Sequence, residues 1–208
     1  FSQWARLISQ FKHIFISGLG VFILFCLVMI QPDFGSGIVM FFVWLLMTLM
    51  IGIRRSHFLL MAAVFLFLGS FLWLLVLKDY QRTRILSFWE PNQELRGSGY
   101  QAAQSLIAVG GGGLYGKGLG SGSQSQLRFL PESQSDFIFA SIAEELGFVG
   151  VSLMLFLYGC IFYRLYKAAV IARDDFGLFL ILGIMISIFT QVFINIGMNI
   201  GIMPITGI

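Results

Sequence analysis

Five long apolar runs, at 14–30, 35–53, 58–77, 137–163 and 176–198, constrain this chain more than any other feature. Crossing the hydrocarbon of a bilayer takes about 20 residues of helix, with a range of about 17–25, so even the first run is just long enough. Lipid offers the backbone no hydrogen-bond partner, and runs of this kind are expected to close their hydrogen bonds internally, as helices. Composition points the same way. Only 11% of the 208 residues are charged and 58% are hydrophobic, whereas a soluble domain carries about 25% charged residues. The expected fold class is an all-α integral membrane protein, a polytopic helical bundle. The balance of 13 Lys+Arg against 10 Asp+Glu is too small to argue for nucleic acid. Cys26 and Cys160 both fall inside apolar runs, and His13 and His57 stand far apart in sequence, so neither a disulfide framework nor a zinc site is supported.

Lys and Arg in short loops set the orientation. Arg6 and Lys12 precede the first run, Arg54 and Arg55 join the second to the third, and Arg164, Lys167 and Arg173 join the fourth to the fifth. Five alternating helices put all three places on one side, expected to be cytoplasmic. The Gln31-Pro32-Asp33 turn and the segment 78–136 then lie outside. That segment carries six basic residues, but long loops translocate largely regardless of charge. It is far longer than the about 12–15 residues beyond which a connection is usually functional. Its pieces are a basic stretch at 78–84, an apolar-polar stretch at 100–109 that reads as a short amphipathic surface helix, a glycine-rich turn at 110–122, and a Gln/Ser/Arg stretch to Asp136. The chain lacks an initiator Met and stops abruptly after Met203-Pro204, and is expected to be part of a longer polytopic protein.

The glycine turn matches fragments of two nucleotide motifs, Gly111-x-Gly113-x-x-Gly116 and Gly111-x4-Gly116-Lys117, and fails both on context. Gly118 stands where a Ser/Thr would hold magnesium, and no strand precedes the loop. Two readings stay open: a tight multi-turn loop that needs positive φ, or backbone N–H groups that hold a lipid-carrier phosphate together with Lys117. Lys78, Arg82 and Arg84, at the outer end of the third run, are either headgroup anchors or a diphosphate site suited to the planar Arg fork. Asp136 opens the fourth run. In Ser133-x-x-Asp136 it reads as a cap; beside Phe137 and Phe139 it reads as a partly desolvated general base. Glu144 and Glu145 are intramembrane acids, functional candidates by default. Glu144 lies about 12 Å deeper than Asp136 along a helix, beyond the roughly 6.5–9.5 Å of an inverting carboxylate pair. It is therefore expected to support a polar cavity. Asp33 is either an interface residue or a cavity lining.

Ordered along the chain are Gln31-Pro-Asp-Phe-Gly35, Tyr80-Gln-Arg-x-Arg84, Gly97-Ser-Gly-Tyr-Gln101, Gln104-Ser105, Gly116-Lys-Gly118, Phe129-Leu-Pro-Glu132, Asp136-Phe-Ile-Phe-Ala140, Ala143-Glu-Glu-Leu-Gly147 and Asn195-Ile-Gly197 with Met203-Pro204. In this order they resemble the SEDS (shape, elongation, division and sporulation) membrane glycosyltransferases, the RodA/FtsW/SpoVE family. The resemblance implies ten spanning helices, of which the five here look like the fifth to ninth. With half of the expected cavity absent, an isolated piece of this length is expected to be inactive. It implies polymerisation of lipid II into glycan strands outside the bacterial cytoplasmic (inner) membrane, with undecaprenyl diphosphate leaving. Asp136 falls on the family's essential outer-loop aspartate, which selects the catalytic reading. Lys117, Arg82, Arg84, Gln104 and Gln126 are implied to bind substrate, with Glu144, Glu145 and Asp33 supporting the cavity. No resident cofactor is implied, and a divalent cation is left open. The implied partners are a class B penicillin-binding protein (transpeptidase) and the elongation or division complex. Lys78-Asp-Tyr-Gln-Arg82, Lys117 and the stretch 121–130 look closer to the elongation type, RodA, than to the division type, FtsW. A lipid II flippase or a non-catalytic scaffold for a partner synthase is the alternative. A flippase needs polar groups through the full membrane depth, whereas here they cluster at one face, and a scaffold has no use for Asp136.

The topology is testable in intact cells with Cys26 and Cys160 replaced. A single cysteine at position 123 is expected to react with an impermeant thiol reagent, and cysteines at 56 or 174 are not. Outside labelling at 56 would overturn this orientation.

Overall fold

The computed structural model describes residues 11–30, 34–50, 98–126, 129–130 and 135–205, together with the isolated helical positions Ser56, Leu59 and Ala63. Among the described residues every element is a helix: α1 (Phe11–Ile30), α2 (Phe34–Met50), α3 (Ser98–Gly111), α4 (Ser123–Gln126), α5 (Ile138–Ile171) and α6 (Asp175–Asn199). The apolar run 58–77 lies outside the described residues, apart from Leu59 and Ala63.

At 34 and 25 residues, α5 and α6 are long and apolar enough to cross a membrane. Phe148, Leu153, Phe156 and Leu157 on α5, and Phe189 and Phe193 on α6, are each more than half exposed. Such side chains would be driven inward in water and are at home against lipid. α5 continues to Ile171, past the end of its apolar run at 163. Arg164 and Lys167 ride on these last turns, and the Lys167 ammonium sits 4.7 Å from the centre of the Tyr163 ring. Long basic stems cover apolar surface while carrying their charge outward, so the helix need not stop where the apolar run does. A short connection follows, and Asp174 Oδ2 accepts from the Gly177 N–H at 2.8 Å to cap α6. At its far end α6 closes on Gly201 (φ 72°). There the Ile202 N–H reaches Gly197 O at 2.8 Å and the Gly201 N–H reaches Met198 O at 3.3 Å, a Schellman closure.

The chain divides into two compact units, one drawn from 1–78 and 162–190, the other from 79–161 and 191–208. In the first, α1 and α2 pair through Trp44, whose indole N–H donates to Ser17 Oγ at 3.3 Å. Gly18 makes room for that ring, since a Cβ there would lie 2.9 Å from it. The second unit has a core of Ala108 from α3, Leu130, Phe137, Ala140 from α5, and Ile205. The stretch expected as a surface helix is α3, and its small residues Ser105 and Ala108 are fully buried.

α5 is broken at Gly147, whose backbone sits at φ 64°, ψ −161°. A Cβ there would run into the backbone of Gly116 and Leu114. Gly147→Ala is expected to cost about 1–3 kcal/mol in backbone strain alone, read as a thermal midpoint lowered by several degrees. Gly159 has open space around its Cβ position, and Gly159→Ala is expected to be neutral or slightly stabilising. Equal midpoints for the two variants would contradict this account of the break.

Candidate functional site

The break in α5 is filled by the glycine-rich turn. In an unbroken helix the N–H groups of Phe148 and Val149 would donate to the carbonyls of Glu144 and Glu145. Here Phe148 N–H donates to Gly113 O at 2.9 Å and Val149 N–H to Leu114 O at 3.1 Å. The carbonyls left behind accept from the same turn, Glu144 O from Lys117 N–H at 2.9 Å and Glu145 O from Gly118 N–H at 3.0 Å. Four backbone groups freed by the break are thus paired again by one loop, which a spanning-length apolar helix requires. The fit is tight. A Cβ on Gly112 would strike Ala143 O, and one on Gly116 (φ 76°) would strike Glu145 O.

Side chains lock the same junction. Lys117 Nζ donates to Glu144 Oε1 at 2.7 Å and to Ser123 Oγ at 3.0 Å. Ser123 Oγ donates to Glu144 Oε1 at 3.1 Å, and the Gln124 N–H lies 3.1 and 3.2 Å from the two carboxylate oxygens. Glu144 is fully buried, whereas the Lys117 side chain is 36% exposed. A buried carboxylate is tolerated when it is both ion-paired and hydrogen-bonded, and Glu144 is both.

A second junction holds the start of α5. Asp136 is half-buried in the turn that enters the helix. Its carbonyl accepts from Asn195 Nδ2 at 3.1 Å and from Asn199 Nδ2 at 3.0 Å. Asn199, fully buried near the end of α6, also donates to Asn195 O at 2.7 Å. Its Oδ1 accepts from Ala140 N–H at 3.2 Å and from Ser105 Oγ at 3.0 Å. The Ala140 amide can only donate, which fixes the orientation of the Asn199 amide. Ala140 is fully buried, so no water could serve its N–H, and Asn199 caps this helix start from another element.

Of the candidates read from the sequence, Lys117 and Glu144 are in direct contact, and Asp136 opens the helix that carries Glu144. Glu145 joins the junction through its carbonyl. Gln104 is half-buried on α3 and Gln126 exposed at the end of α4, apart from these hydrogen bonds. Asp33, Lys78, Arg82, Arg84 and the Ser133 of the capping motif lie outside the described residues. One expectation changes. The N–H groups of Lys117 and Gly118 are spent on α5 carbonyls, and those of Gly116 and Ser121 on Gly112 O and Gly118 O. These amides do not form an anion cradle; the turn is the tight positive-φ loop, with Gly113, Gly116, Gly118 and Gly120 all at positive φ. The sequence carries no sign of a role for Asn199, and Ser105 stands there only within the Gln104-Ser105 motif, although Asn195 and Asn199, four apart near the end of an apolar helix, share one face. Among the described residues no group of His, Cys, Asp and Glu gathers to hold a metal ion.

The Lys117–Glu144 pair makes a separable prediction. Lys117→Met strands a buried carboxylate and is expected to destabilise by about 1–3 kcal/mol. Adding Glu144→Gln removes the stranded charge and should restore part of the thermal midpoint. A double variant less stable than Lys117→Met would show that the pair is not the relevant interaction.

The chain resembles known proteins over most of its length. The family model for cell cycle proteins of the FtsW/RodA/SpoVE type matches residues 4–208. Stage V sporulation protein E of Bacillus subtilis is 41% identical over 208 residues, covering 100% of this chain and 56% of that protein. Peptidoglycan glycosyltransferase MrdB of Escherichia coli is 41% identical over 185 residues, 88% of this chain and 49% of its own length. The chain thus spans about half the length of these relatives. A solved chain, from work described as "Structural coordination of polymerization and crosslinking by a peptidoglycan synthase complex", superposes with a TM-score of 0.70 at 30% identity, covering 92% of this chain and 52% of that one. With a matched model over nearly its whole length and relatives at this identity, the chain belongs to the FtsW/RodA/SpoVE family of cell cycle proteins.

Proposed function

We propose that the full protein is a peptidoglycan glycosyltransferase that polymerises lipid II at the outer face of the bacterial cytoplasmic membrane, and that Asp136 is its general base. The observation that carries this reading is the placement of Asp136: half-buried at the mouth of α5, with its peptide oxygen gripped by two asparagine amides. A carboxylate on so constrained a backbone is held for proton transfer rather than left to sample solvent. The Asp136 carboxylate takes the proton of the acceptor sugar's 4-hydroxyl as that oxygen attacks the anomeric carbon of the donor. The new C–O bond forms as the bond from that carbon to the diphosphate oxygen breaks, and undecaprenyl diphosphate leaves with the electron pair. Direct displacement inverts the anomeric centre and needs one protein base.

The departing diphosphate needs cationic stabilisation. Lys117 has three ammonium hydrogens, two of them directed at Glu144 and Ser123, and its partial exposure leaves the third for a phosphate oxygen. Arg82 and Arg84 are proposed to share this role, with Gln104 and Gln126 contacting the sugars, and Glu145 and Asp33 supporting the cavity. The elongation-type reading rests on Lys78-Asp-Tyr-Gln-Arg82, Lys117 and the stretch 121–130. The partner in this reading is a class B transpeptidase of the elongation complex; the description of the solved chain, which couples polymerization to crosslinking in a peptidoglycan synthase complex, supports a partner synthase.

Asp136→Asn keeps the shape of the side chain and some capping ability but cannot accept the proton. In full-length protein with labelled lipid II, it is expected to lower polymerisation about 10²–10⁴-fold with the thermal midpoint nearly unchanged. Near-normal polymerisation by Asp136→Asn would overturn the base assignment.

A further inference from the structure

We propose that Asn199 is a positioning residue for Asp136, acting on the reaction through the Asp136 backbone rather than by touching substrate; this inference rests on the base reading above. Every hydrogen-bonding position of the Asn199 amide is used: one bond stays within α6, and the others tie it to Asp136, Ala140 and Ser105. One Nδ2 hydrogen goes to Asp136 O at 3.0 Å and the other to Asn195 O at 2.7 Å. Oδ1 receives Ala140 N–H at 3.2 Å and Ser105 Oγ–H at 3.0 Å, and the same hydroxyl lies 3.0 Å from Asn199 O. The residue is fully buried, as are Ser105 and Ala140, so water cannot replace the bonds among these three without opening the core.

The geometry of the grip matters. Asn199 holds one peptide oxygen and one peptide N–H four residues apart, at 136 and 140, and so clamps the turn that enters α5 from both sides. The Asp136 side chain leaves the backbone inside that clamped turn. Its direction is therefore set by the turn, and the turn is set from α6. Asn195 contributes a second donor to the same oxygen at 3.1 Å, but it is not the bridge to α3 or to Ala140. A misplacement of about 1 Å at a reacting group can cost on the order of 10²-fold in rate, so loosening this turn is expected to act on turnover rather than on affinity. A residue that served stability alone would not single out that step.

The test is a double-mutant cycle on full-length protein with labelled lipid II, comparing wild type, Asn199→Ala, Asp136→Ala and the double variant, with thermal midpoints measured in parallel. Asn199→Ala is expected to lower kcat by about 10–10²-fold with KM within about twofold. In the Asp136→Ala background, where no base remains to be aimed, the same change should produce no further loss of the residual rate. Equal multiplicative losses in both backgrounds would overturn the inference, as would a folded Asn199→Ala protein with unchanged kcat. If Asn199→Ala does not give monodisperse protein, the cycle is read with Asn199→Asp. That variant keeps the volume and the acceptor facing Ala140 N–H and loses the paired donors; the same two outcomes decide. Normal polymerisation by Asp136→Ala alone would instead bring down the base reading, and this inference with it.

Discussion

A helix that crosses lipid cannot be interrupted without rehousing the backbone groups it frees, and much of the second unit follows from how this is done at Gly147. Two N–H groups and two carbonyls lose their helical partners there, and all four find new ones in the turn at 113–118. In hydrocarbon each orphaned group would cost several kcal/mol, so break and loop stand or fall together. The loop has to be nearly free of side chains where it enters, because Gly112 and Gly116 lie against the carbonyls of Ala143 and Glu145. It also has to be anchored. The buried Glu144 carboxylate does this by collecting Lys117, Ser123 and the Gln124 amide. What looks in sequence like a glycine-rich phosphate loop is here the missing part of a helix.

The same logic governs the start of α5. Helix N-termini leave donors without partners, and the buried amide of Ala140 is one of them. A local cap would have satisfied it without involving another element. Asn199 instead supplies the acceptor from α6, shares that oxygen with the Ser105 hydroxyl, and uses its Nδ2 to hold Asp136. This makes the backbone at Asp136 part of the core rather than part of a loop. The two junctions, at Asp136 just before α5 and at Glu144 within it, lie eight residues apart, and each replaces a local hydrogen bond by one from a distant stretch of chain. They supply a rigid frame at the face where the acceptor sugar is proposed to arrive.

The sequence carried the helical class openly, because apolar runs of spanning length have few other solutions. It also marked Asp136, Glu144 and Lys117, each a charged residue in or beside an apolar or glycine-rich context. What it could not carry was pairing. Nothing local links Lys117 to Glu144, 27 residues on, or Asn199 to Asp136, 63 residues earlier. The glycine turn was readable as strained but not as inserted, since its docking site is a break that a continuous apolar run conceals. Gly147 was the available signal: a helix-weakening residue just after two acids. For a related reason α5 outruns its apolar run: Arg164 and Lys167 interrupt the apolar pattern without interrupting the helix.

The proposed mechanism, one base at the mouth of α5 with direct displacement of a diphosphate, implies a single stereochemical outcome. The decisive measurement is the anomeric configuration of the glycosidic bonds formed by the full-length protein from lipid II, compared with that of the donor's bond to diphosphate. Inversion at every new linkage is the predicted result. Retention would require a covalent glycosyl-enzyme and a second carboxylate close to the first, and would contradict the assignment of Asp136 as sole base.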